Sequence, residues 1–229
     1  MTRFSIKKIP ILGSLISRVH DRYKYEKRKR MFISSSDFWK NNYKAGGHSG
    51  YGSYNELAIF KAEVINEFID SNEYESYAEF GCGDGNQIDL IHYPSFSGYD
   101  ISEECIEICK QRFKSKENMS FSTMKEYVGQ QYDVTLSLDV LFHLVEDEVY
   151  KEYLDTLFKA SRYQVIIYSS NTNDNSSNYY PQVRHRKFTE DIKLWYPDFK
   201  LKDTISNKFP FKGSSKSGSF SDFYFFEKS

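Results

Sequence analysis

The chain has 229 residues, enough for one α/β domain with an N-terminal elaboration and a core that needs no disulfide staples. A hydrophobic fraction of 39% beside a charged fraction of 28% excludes a disordered or fibrous chain, and no apolar run approaches the ~20 residues that cross a bilayer. The net charge of −1 conceals an asymmetry: residues 1–30 hold ten Lys/Arg against two Asp/Glu, which leaves −9 on the rest.

Chain order begins with that basic stretch. Leu12, Leu15, Ile16 and Val19 recur at helical spacing, and the basic run 22–30 follows. Residues 1–35 are therefore expected to form a helical extension, which either lies on an anionic membrane surface or docks on the domain's own flank. Nucleic-acid binding is not expected, because basic residues cluster only here. A signal peptide's long apolar stretch and small-residue cleavage site are missing, and Cys82, Cys105 and Cys109 make no disulfide framework. These features point to a cytoplasmic protein with reduced, packed thiols, peripheral to the inner membrane face if the basic segment binds lipid. Cys105 and Cys109 would share a helix face, but no further ligands stand at metal spacing, so no metal is expected.

Residues 36–72 form a second segment. Gly46, Gly47, Gly50 and Gly52 mark 37–53 as a loop whose backbone approaches something closely, a lid in which Tyr43 and Ser49 are candidate contacts. From Tyr54 to Ile69, apolar residues at helical recurrence predict a helix.

The third segment, 73–229, alternates. Strands are predicted at 77–80, 97–100, 119–123, 132–138 and 163–168; helices are predicted at 86–91, from the Ser102 cap to Phe113, and at 147–160. This rhythm argues for a largely parallel sheet with helices on both faces. After an Asn/Ser-rich loop at 171–180 comes a helix at 188–196 with Thr189 as its expected cap. Two late strands at 201–209 and 219–227 have no crossover helix between them and are expected to pair antiparallel at the sheet edge.

The chemistry centres on Glu79-Phe80-Gly81-Cys82-Gly83-Asp84-Gly85, with Asp100 at the end of the next strand. In a doubly wound sheet a ligand sits at the carboxyl ends of parallel strands, and glycines let the backbone turn sharply beside it. A carboxylate after the second strand can accept both ribose hydroxyls. The 19 residues from Gly81 to Asp100 are near the ~20 expected of a nucleoside-binding βαβ unit. A dinucleotide oxidoreductase would show G-x-G-x-x-G; here the spacing is G-x-G-x-G. Glu79 and Asp84 would also repel a pyrophosphate, while they suit an ammonium and a sulfonium.

This stretch resembles the first motif of class I S-adenosylmethionine-dependent methyltransferases, and the likeness runs from about 74 to 168. Tyr99-Asp100-Ile101-Ser102 is similar to the second motif, and 133–144 to the fourth strand and its following loop, which places Leu138 and Asp139 by the methionine moiety. The resemblance implies a Rossmann-like seven-stranded sheet, mostly parallel with one antiparallel edge strand, and S-adenosyl-L-methionine as cofactor. The binding set it implies is Glu79, Gly81, Cys82, Gly83, Gly85, Asp100, Ile101, Leu138 and Asp139, with Tyr43 and Ser49 from the lid. Where the family often has an acid after the third strand, Thr123-Met124-Lys125 stands here, so Met124 is expected at the adenine. Residues 39–53 and 183–188 look similar to a bacterial subgroup found with surface-glycan biosynthesis proteins, which implies a small or glycan-type O or N acceptor. His143, His185 and Asp139 are the candidate catalytic groups, and Arg184 and Arg186 the candidate grip on an anionic acceptor. Two other readings stay open: a cofactor-binding subunit without transferase activity, and a nicotinamide-dependent oxidoreductase.

Overall fold

Alternation along single strands decides the layering. On β1 (Ser76–Phe80) Tyr77 packs on one face while Ala78 and Phe80 pack on the other; on β5 (Ser161–Ser169) Ile166 and Tyr168 oppose Val165 and Ile167. Period-two side chains buried on both faces demand helices on both faces. The computed structural model describes residues 22–176 and 180–229. With β2 (Ser95–Asp100), β3 (Met119–Thr123), β4 (Tyr132–Leu138), β6 (Phe199–Ile205) and β7 (Asp222–Lys228), the strands form one sheet in the order β3-β2-β1-β4-β5-β7-β6. The first five strands are parallel to one another; β7 is reversed, antiparallel to both β5 and the edge strand β6. The expected seven strands and antiparallel late pair are both present, with the reversed strand one place in from the edge.

The helices follow from cap and stripe. Residues 22–31 form α1, and α2 spans Ser35–Lys44, α3 Asn55–Asp70, α4 Glu103–Arg112, α5 Asp147–Lys159 and α6 Phe188–Trp195. Ser102 Oγ accepts from Cys105 N (3.3 Å) at the start of α4, where Glu103 and Glu104 face the positive end of the helix dipole. On α5 the buried set Tyr150, Tyr153, Leu154, Leu157 and Phe158 marks one stripe, and α3 buries Leu57, Phe60, Lys61, Val64 and Ile65. Among the described residues no helix is long and apolar enough to cross a membrane; the amphipathic stretch 6–19 lies outside them.

Three expectations need correction. The helix expected at 86–91 is a single 3-10 turn at Ile88–Leu90. The run is short and ends before Pro94, and its polar groups are drawn sideways: Asn86 Nδ2 bonds Ser53 O at 2.7 Å and Gln87 Nε2 bonds Ala58 O at 2.9 Å. Residues 37–44, read as loop, belong to α2, because Ser34 Oγ caps Asp37 N at 3.0 Å and the glycines begin only at 46. Thr189 does not cap α6; its hydroxyl pairs with the Asn171 side chain, and Lys187 stands at the cap position.

The order also fixes where a ligand can sit. From β1 the chain moves outward through β2 to β3, then returns to place β4 on the other side of β1. The crevice at the carboxyl ends of β1 and β4 is thus the topological switch point of the sheet.

Candidate functional site

A cavity of about 290 Å³ opens at that crevice. Its floor is the turn after β1. Gly81, Gly83 and Gly85 have φ of 81°, 60° and 77°, all left-handed, and the amides of Gly81 and Cys82 both donate to Tyr99 O on β2, at 2.7 and 3.0 Å. A Cβ on Gly83 would stand 2.3 Å from Ser49 Oγ, so only glycine leaves room for the chain above it. Gly83 N donates to Asp100 Oδ2 (3.1 Å) and Ser102 N to Oδ1 (3.0 Å). Burial pushes the Asp100 carboxyl up to about 6, against the pull of those amides. A carboxylate offers about four acceptor sites, so Asp100 keeps acceptor capacity beyond these amides.

The segment between α2 and α3 is fastened to this turn. Ser49 Oγ accepts from Asp84 N (2.9 Å) and meets Tyr43 Oη at 2.8 Å, while Ser49 N and Tyr54 Oη donate to Asp84 Oδ2 at 3.0 and 2.6 Å. Burial opposes ionisation of Asp84, yet the Tyr54, Ser49 and Asn86 bonds hold its pKa below the usual range. Asp84 thus fastens the segment between α2 and α3 to the turn.

At the β4 end, Asp139 adopts φ of 59°, a conformation that costs a non-glycine residue about 1–3 kcal/mol unless its surroundings hold it. Here they do. Asp139 N bonds Tyr168 O (2.8 Å), Ser221 Oγ donates to Oδ1 (2.8 Å), and Lys61 Nζ lies 2.9 Å from Oδ2. Lys61 is 1% exposed and sits 5.3 Å from the Tyr168 ring. Beside it, Glu79 is buried with Oε2 unpartnered; burial pushes its pKa up to about 8, with Lys61 pulling the other way.

The far wall combines α2, the loop after β4, and α5. His143 Nδ1 lies 3.1 Å from Gln182 O; a carbonyl only accepts, so Nδ1 carries the hydrogen and Nε2 keeps its lone pair. Burial drives this imidazole down to about 4, so it is neutral at pH 7. Trp39 stands edge-on to it at 4.8 Å. Ser35 binds both oxygens of Glu146, at 2.9 and 2.6 Å, and so locks the start of α2 to this loop.

The cavity thus gathers most of the expected set: Glu79, Gly81, Cys82, Gly83, Asp100 and Ile101, together with Met124, Leu138, Asp139, Tyr43, Ser49 and His143. Gly85 lies outside the lining, where a Cβ would stand 2.6 Å from Phe113. His185 is also outside, bonded through Nδ1 to Ser170 Oγ at 2.7 Å. Arg184 and Arg186 do not line the cavity either. Arg186 donates to Leu144 O and Val145 O, at 2.6 and 2.9 Å, and lies 4.3 Å from the Tyr150 ring. Both arginines reach Asp147, at 3.0 and 3.1 Å. They brace the loop rather than face the crevice. Lys61 was missed, although a lysine inside the Leu57–Phe60–Val64–Ile65 stripe was a visible signal. The three cysteines are free and buried, with Cys109 Sγ donating to Gly83 O at 3.1 Å, and among the described residues no His/Cys/Asp/Glu group is arranged to hold a metal.

Residues 78–161 match the family profile described as methyltransferase domain. No curated protein matches the sequence. Magnesium protoporphyrin IX methyltransferase from Synechocystis PCC 6803, solved with S-adenosylmethionine, is 15% identical over 86% of this chain and 99% of that chain, with a TM-score of 0.61. A SAM-dependent methyltransferase from Anabaena variabilis is 15% identical over 86% of this chain and 96% of that one, at 0.63. The N-methyltransferase NodS from Bradyrhizobium japonicum, in complex with S-adenosylhomocysteine, is 13% identical over 75% and 87%, at 0.60.

Proposed function

We propose that this chain, which shares its fold with solved methyltransferases and matches a methyltransferase-domain profile over residues 78–161, uses S-adenosylmethionine to methylate an oxygen or nitrogen of a small acceptor. The observation that carries this reading is the pairing, across one crevice, of a diol acceptor with a zwitterion acceptor. Asp100 offers remaining acceptor capacity beside the glycine turn, which suits a ribose. Lys61 and Asp139, both partners of a buried ion pair, suit an amino-acid carboxylate and ammonium respectively. The orphaned Glu79 Oε2 gives the same tail a further acceptor, and the neighbouring carboxylates would repel a pyrophosphate, which disfavours a nicotinamide dinucleotide.

When bound, the cofactor supplies a methyl group on a positively charged sulfur. This chain's residues then have two tasks. Tyr43, Ser49 and Asp84 keep the lid against the turn and exclude water. His143, fixed on its Nδ1 tautomer by Gln182, offers Nε2 to the acceptor proton. For a hydroxyl acceptor, the bound cofactor would supply the methyl group to the oxygen, and His143 would stand as the group that takes the hydroxyl proton. The hydroxyl proton passes to Nε2, so the positive charge ends on the imidazole. The likeness of 39–53 and 183–188 to a subgroup linked to surface glycans makes a sugar hydroxyl one acceptor to test. Tyr23 and Met31 on α1 and Ile33 just after it are 70%, 73% and 81% exposed near basic side chains, and we read this segment as resting on an anionic membrane surface.

Calorimetry with S-adenosylmethionine, followed by an assay for S-adenosylhomocysteine release with candidate acceptors, tests the reading. Binding that is lost in Asp100→Ala, together with turnover, is expected. Binding without turnover on any acceptor favours a non-catalytic subunit, and heat with a nicotinamide dinucleotide alone favours an oxidoreductase.

A further inference from the structure

The wall of the cavity between α2 and α5 carries none of the groups assigned above to the nucleoside or its amino-acid tail, and its charge bears on what enters. Carboxyl groups of Glu79, Asp84, Asp100, Asp139 and Glu152 line the whole cavity against a single ammonium, Lys61, which is already bonded to Asp139. Glu79 holds its proton at pH 7, which still leaves four carboxylates to one ammonium. His143 adds no positive charge, being neutral, and Arg184 and Arg186 lie outside the lining, their terminal guanidinium nitrogens bonded to carbonyls and to Asp147. An anion brought to this wall would meet no unengaged cation among the lining residues, and the one positive charge a bound cofactor adds on its sulfur would still leave the carboxylates in excess. An uncharged molecule carries no such penalty, and Trp39, Leu144 and Val149 give it apolar surface beside the bare Nε2 of His143. An ammonium would suit the charge, but with its proton in place it has no lone pair for the methyl.

Resting on the methyl-transfer reading above, we propose that the acceptor is an uncharged hydroxyl compound and that the cavity rejects anionic acceptors such as phosphates and uronates. The same site built with one free guanidinium would select the opposite way, which makes the assignment specific to this arrangement.

The test is calorimetric titration, near neutral pH, of the full chain saturated with S-adenosylhomocysteine. The probes are size-matched pairs, phenol with benzoate and phenyl glucoside with phenyl glucuronide, plus benzylamine. In at least one pair the neutral member should bind about tenfold or more tightly than its anionic partner. In Glu152→Lys, a change at an exposed residue of the cavity rim, that preference should narrow several-fold. The proposal is overturned if no neutral member binds more tightly than its carboxylate, if benzylamine binds tightest, or if Glu152→Lys leaves the preference unchanged. A failure of S-adenosylhomocysteine itself to bind would instead remove the methyltransferase reading on which the proposal stands.

Discussion

Replacing Lys61 with methionine separates structural from binding roles. The ammonium is 1% exposed and its partner Asp139 is largely buried, held at a left-handed backbone position by Ser221 and Tyr168. Removing one partner of a buried pair typically costs about 3–5 kcal/mol, because the other charge stays desolvated and uncompensated. The Ser221 hydroxyl and the 16% exposure of the Asp139 side chain soften this, so Lys61→Met should destabilise by about 2–4 kcal/mol. Replacing both partners, Lys61→Met with Asp139→Asn, removes the stranded charge and should recover most of that loss. Affinity must behave differently. If Lys61 receives the cofactor's carboxylate, one charge-assisted bond worth about 1.5–3 kcal/mol disappears, so S-adenosylhomocysteine should bind roughly ten- to hundredfold more weakly in the single variant and in the double. Urea unfolding and calorimetry on the same preparations give both numbers. A double variant no more stable than the single one, or a single variant with unchanged affinity, would refute the reasoning.

Further outcomes follow from the other groups of the site. Glu79 sits at about 8 in the free protein, and a bound ammonium would lower it; at pH 7 cofactor binding should therefore release up to one proton, and affinity should rise as pH climbs toward that value. Calorimetry in buffers of different ionisation enthalpy detects this, and proton uptake would contradict it. Removing the base with His143→Asn should lower turnover about 10²–10⁴-fold while leaving S-adenosylhomocysteine affinity within error, whereas an equal loss of both would make His143 a binding residue instead. Deleting residues 1–30 should weaken sedimentation with anionic liposomes more than with neutral ones, and equal sedimentation of both forms would end the membrane reading.

What could be read in the chain was whatever depends on neighbours in sequence. The glycine spacing, the strand that precedes it and the Asp100 carboxylate after the next strand are local patterns, and they came together as expected at the switch point. Contacts between distant segments were hidden. Arg184 and Arg186 looked like an anion grip because consecutive charges resemble a binding loop. Their partners, the carbonyls of Leu144 and Val145 and the Asp147 carboxylate, lie about forty residues earlier in the chain. His185 was drawn in by the same run and instead bonds Ser170. The missing helix at 86–91 has the same cause, since Asn86 and Gln87 spend their amides on Ser53 and Ala58. Lys61 failed to register for the opposite reason: a helical stripe is read for its apolar members, and one cation inside it is overlooked unless its partner after β4, Asp139, is known.

The most direct measurement is a crystal structure with S-adenosylhomocysteine bound. The account predicts ribose hydroxyls on the Asp100 carboxylate and the amino-acid tail at Asp139 and Lys61. The sulfur should face the wall that carries His143. Density for that nucleoside at any other place on the sheet, or with its ribose away from Asp100, would contradict it.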